Sequence, residues 1–79
     1  MTVAQAFGDI ADILANMAPA KIVEMRPSQS MVDRVEELIH KKKEAKISWE
    51  ETLELERYLA LDMLINLAQA RARHLLAAA

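Results

Sequence analysis

The sequence predicts an all-α fold: three helices and a short extended segment, the second and third helices forming an antiparallel hairpin, in chains that oligomerise into a helical bundle. Three observations carry this. Leu53 to Leu76 is a long stretch of strong helix formers, apolar on almost every side. Two capping-box patterns, Thr2 with Gln5 and Ser48 with Glu51, mark helix starts. The 79 residues include a single glycine, and prolines stand only at positions 19 and 27, so most of the chain is free of helix breakers.

The first helix is expected over about residues 3 to 17. Behind the Thr2 cap, Val3, Phe7, Ile10, Leu14 and Met17 recur at spacings of three and four and line one face, with Gln5, Asp9, Asp12 and Asn16 opposite. Gly8 weakens this helix by roughly 1 kcal/mol against alanine, and Pro19 stops it. The apolar face packs on the long helix or, through Phe7, Ile10, Leu14 and Met17, serves as a second interface.

Residues 20 to 27, AKIVEMRP, are fenced by the two prolines and alternate weakly, with Val23 and Met25 on one side and Ile22, Glu24 and Arg26 on the other. That pattern predicts an extended linker, or a strand that pairs with its copy in a dimer. A second helix is expected over about 29 to 44, capped by Ser28 or Ser30. Met31, Val32, Val35, Leu38 and Ile39 form its apolar face, and the lysines at 41 to 43 complement the dipole of its last turn. The short link after it predicts the hairpin.

The third helix, about 49 to 76, opens with Glu50, Glu51, Glu54 and Glu56 and closes with Arg71, Arg73 and His74, the arrangement a helix dipole favours. Between Tyr58 and Ala68 only Asp62 and Asn66 are polar, which leaves one narrow wet stripe. Such a helix is about 42 Å long, whereas a compact chain of this size is about 30 Å across. A second chain is therefore expected to cover Leu53, Leu59, Leu61, Leu64, Ile65, Leu67 and Ala68.

Composition sets the outer limits. A core this small rarely supplies more than about 3 to 5 kcal/mol unaided, so association is the expected staple for a single domain spanning 1–79. With 53% apolar residues the chain is not a disordered tail, and its net charge of −2 gives no global attraction to nucleic acid or anionic membrane. Zero cysteines exclude disulfides and thiolate metal sites and accord with a reducing cytoplasm. The first apolar segment carries Asp9 and Asp12 without a cationic leader, unlike a secretory signal, and no apolar run approaches a membrane span.

No catalytic, cofactor-binding or metal site is expected. Glu37 and His40 have the Glu-x-x-His spacing used in di-iron bundles, but they stand beside a lysine run that opposes a dication. Ser28, Ser30 and Ser48 sit where helix caps belong, which accounts for them without a nucleophile's role. The chain lacks the glycines of a phosphate-cradling loop.

The segments Arg34-Val35-Glu36-Glu37-Leu38, Ser48-x-Glu50-Glu51, Glu54-Leu55-Glu56-Arg57-Tyr58-Leu59-x-Leu61 and Leu67-Ala68-Gln69-Ala70-Arg71-Ala72-Arg73 together resemble a set of small uncharacterised bacterial helical proteins. Some of those look like antitoxin-type companions of toxin-antitoxin pairs. The resemblance implies a non-enzymatic, antitoxin-like masking role towards a toxin-like or other protein partner, beside the homo-oligomer expected from the long helix, and assigns no functional residues. It does not extend to the first helix. A second resemblance, to ribbon-helix-helix repressors, rests on Lys21 to Arg26 as an extended strand ahead of two helices. Lys21 and Arg26 would then read bases, but the acidic chain, Glu24 on the reading face and the length of the third helix oppose it.

Overall fold

A computed structural model describes residues 1–78 and contains four helices: α1 (Val3–Met17), α2 (Pro19–Glu24), α3 (Gln29–Lys43) and α4 (Trp49–Ala78). The all-α class is as expected, and no strand occurs among the described residues. The helix count is four rather than three.

Local hydrogen bonding accounts for most of the boundaries. The Thr2 hydroxyl accepts the Gln5 amide at 3.1 Å while the Gln5 side chain accepts the Thr2 amide at 2.8 Å, which closes the first capping box. Ser48 and Glu51 do the same at 3.1 and 3.0 Å. Ser28, not Ser30, caps α3 by accepting the Met31 amide. That helix ends in a Schellman turn: Lys46 donates to the Lys41 carbonyl and Ala45 to that of Lys42. Ala45 takes the left-handed conformation (φ 57°) that usually falls to glycine.

The expected extended linker over 20–27 is corrected by α2. Pro19 stops α1, and as the first residue of α2 it also begins a new helix, because its fixed φ is already helical and its missing N–H is not needed there. Six residues make a marginal helix alone, so its persistence traces to tertiary contacts. Ile22 is buried, and the side-chain amide of Gln69 donates to the carbonyls of Ile22 (3.2 Å) and Met25 (2.7 Å) at the helix end. Between α2 and α3 only residues 25–28 lie outside helix. The paired strand required by the ribbon-helix-helix reading is not formed, since Lys21 to Glu24 are helical.

Packing divides the chain into two units. The first joins Met1–Met25 to α4 from Asp62 onward. Its core is Ala11, Ala15, Ala68, Ala72 and Ile22, with Leu14, Val23, Leu64, Leu67 and Leu75 packed against it. Ala11 and Ala15, and likewise Ala68 and Ala72, are four residues apart and so share a helix face. The first helix therefore turns its small side chains inward, and the expectation that Val3, Ile10 and Met17 line its packed face is corrected.

The second unit is Arg26–Leu61, in which Leu38 of α3 and Leu55 of α4 are buried. Met31, Val32, Val35, Ile47, Leu53 and Tyr58 are half-buried. Leu38 is the one large side chain fully buried among the described residues.

Candidate interaction surface

On α1, the residues left outside form a stripe of their own. Val3, Ala6, Ile10, Ile13 and Met17 step by three and four, the a/d spacing of a coiled-coil seam. Ala6 is half-buried, while Val3 is 73%, Ile10 47%, Ile13 61% and Met17 76% exposed. The apolar arc of α1 is wider than its neighbours cover. The alanine edge allows the close backbone approach that packs the core, so the bulky edge is the one turned out.

Of the residues expected at a second interface, Ile10 and Met17 belong to this stripe, Leu14 packs on the core and Phe7 is half-buried between the two faces. Val3 was expected on the same apolar face, and Ile13 adds to it. The heptad spacing that joins Ile13 to Val3, Ile10 and Met17 is present in the sequence.

The α4 residues expected at an interface separate into three groups. Leu59 and Leu61 are about half exposed, at 51% and 50%. Leu53, Leu64, Ile65 and Leu67 are half-buried, Leu64 and Leu67 of them against the alanine core. Ala68 is buried at 2% inside its own unit, so its surface is spent within the chain. Trp49, Met63 and Leu76 are further exposed apolar side chains of α4.

Polar groups border the α1 surface on one side. Arg71 of α4 pairs with Asp12, and the Asn16 amide donates to the Asp12 carbonyl at 2.7 Å. A methyl at Gly8 would stand 3.4 Å from the Arg71 guanidinium, an ordinary contact, so packing does not demand glycine there. Asp12, Asn16, Ala70, Arg71, His74 and Leu75 line a groove of about 310 Å³. It offers a carboxylate already paired with a guanidinium and no hydroxyl or thiol nucleophile among its lining residues.

The charged residues of the second unit serve its own packing. Arg34 grips Glu54 with two parallel bonds of 2.8 and 2.9 Å and reaches Glu37 at 3.0 Å. Lys41 pairs with Glu51, whose carboxylate also closes the α4 capping box. The Lys41 hydrogen bond, then the Ser48 amide, lower the Glu51 pKa to about 2. Glu54 is likewise lowered, chiefly by Arg34, and Arg34 is raised chiefly by Glu54 and then Glu37. The Glu37 and His40 pair is not drawn together as ligands: Glu37 meets Arg34, and the exposed His40 lies 3.3 Å from Glu44. No group of three potential metal ligands occurs among the described residues.

Comparison with protein-family models, curated proteins and solved structures finds no match. The surfaces must therefore be read on their own chemistry. No helix among the described residues is long and apolar enough to cross a membrane.

Proposed function

We propose that the chain is a non-enzymatic interaction subunit that oligomerises with itself into a helical bundle and acts as an antitoxin-like companion, covering the active surface of a protein partner. The observation that carries this reading is the distribution of bulk: alanines fill one core while Val3, Ile10, Ile13 and Met17 stay outside. Full burial of such side chains is worth about 1.5 to 3 kcal/mol each, so a surface that leaves them half to three-quarters exposed has much to gain from cover. The α3 helix and the start of α4 act here as an antiparallel hairpin, in keeping with the pairs Arg34–Glu54 and Lys41–Glu51, which run in opposite directions along the two helices. The working compartment under this reading is the cytoplasm, in keeping with a chain without cysteine.

The partner-masking role is tested by expressing the product of the adjacent gene alone and together with this chain. Growth arrest relieved by co-expression, with the two proteins eluting as one complex, is the expected result. A harmless neighbour, or a toxic one unaffected by this chain, overturns it. Duplex DNA should be bound only with the weak, salt-sensitive background of about 10⁻⁴ to 10⁻⁶ M. Nanomolar binding to its own upstream region, abolished by Lys21→Ala with Arg26→Ala, would replace the reading with a repressor's.

A further inference from the structure

We propose that the outer stripe of α1, Val3, Ala6, Ile10, Ile13 and Met17, is a docking surface for the same stripe on a second copy of this chain. The inference rests on the self-association proposed above and names the surface that makes it. A stripe at a/d spacing packs best against another of that spacing, because each side chain then enters a gap between side chains opposite. A second copy supplies that pattern without any further partner.

Charge and area point the same way. The polar flank of α1 holds two carboxylates, of which Asp12 is engaged by Arg71, leaving Asp9. With no lysine or arginine on α1 and only those two carboxylates, the helix's own charges select no foreign partner. The four large side chains each expose half to three-quarters of their surface. At roughly 60 to 120 Å² for a whole side chain, two copies bury on the order of 300 to 600 Å² of side chain. With the flanking backbone the pair stays below about 1,200 Å², the range of weak and reversible interfaces. The dimer is therefore expected to be weak and to dissociate on dilution.

The absence of cysteine makes the test direct. Ile10→Cys, Ile13→Cys and, on α4, Leu61→Cys are oxidised separately at a concentration where light scattering gives the wild type a mass near twice 8.9 kDa. Disulfide dimers from the Ile10 or Ile13 variant but not from Leu61→Cys are expected, and Ile13→Asp should return the mass to 8.9 kDa with its helical circular dichroism unchanged. Since Ile13 is 61% exposed, the aspartate leaves the fold intact. If Ile13→Asp associates as the wild type does and only Leu61→Cys cross-links, the α1 proposal falls while self-association stands. A wild type that stays at 8.9 kDa at every concentration overturns both.

Discussion

Around Ala11, Ala15, Ala68 and Ala72 the chain brings helices together with methyl groups, whereas between α3 and the start of α4 it buries Leu38 and Leu55 behind a fence of ion pairs. The first arrangement gains little from each residue but draws backbones close, so its tolerance for extra volume is small. The second gains more per residue and depends on charge. Two units of one short chain should therefore fail in different ways.

The largest expected effect is at Leu38. Truncation to alanine should cost about 2 to 5 kcal/mol, since a fully buried leucine leaves a cavity. Urea unfolding followed by circular dichroism measures it, and a loss below 1 kcal/mol would mean the second unit is not organised around that side chain. Next comes Ala15→Leu, which forces added volume into the alanine seam and should cost about 1 to 3 kcal/mol. A neutral result would show that the seam can open, and would break the contrast.

Acid sharpens the comparison. Glu51 and Glu54 are held below the ordinary carboxylate pKa, so they stabilise the second unit at neutral pH, and that contribution is lost as pH falls through the lowered values, near 2 for Glu51. Amide exchange at Leu38 and Leu55 should accelerate between about pH 4.5 and 2, beyond the change in its intrinsic rate, before it does at Ala68 and Ala72. Equal acceleration in the two groups would contradict the assignment. The smallest effect is expected at Ala45, where glycine should stabilise by less than about 1 kcal/mol by relieving a left-handed alanine. Thermal melting reads this, and destabilisation would mean that the turn is not strained.

What the sequence made visible follows from how far each determinant lies along the chain. The caps at Thr2 and Ser48 were readable because their partners, Gln5 and Glu51, are three residues away. The short helix α2 was not, because what holds its end is Gln69, 47 residues from Ile22. Periodicity likewise located the apolar arc of α1 but could not say which part a neighbour would cover. On the long helix Leu59 and Leu61 are exposed, while Ala68, equally apolar in sequence, is taken by the chain's own core.

The same separations bear on the order in which the molecule forms. Arg34 and Glu54 are 20 residues apart, while Ile22 and Gln69 are 47 apart, a difference in loop closure of about 0.8 kcal/mol. Contacts that are near in sequence form sooner, so Arg26–Leu61 is expected to gain protection first in pulsed hydrogen exchange during refolding, and simultaneous protection would refute this. On the ribosome the delay is built in: α1 emerges well before the segment carrying Ala68 and Ala72, and its alanine face must wait for a surface that has yet to be synthesised.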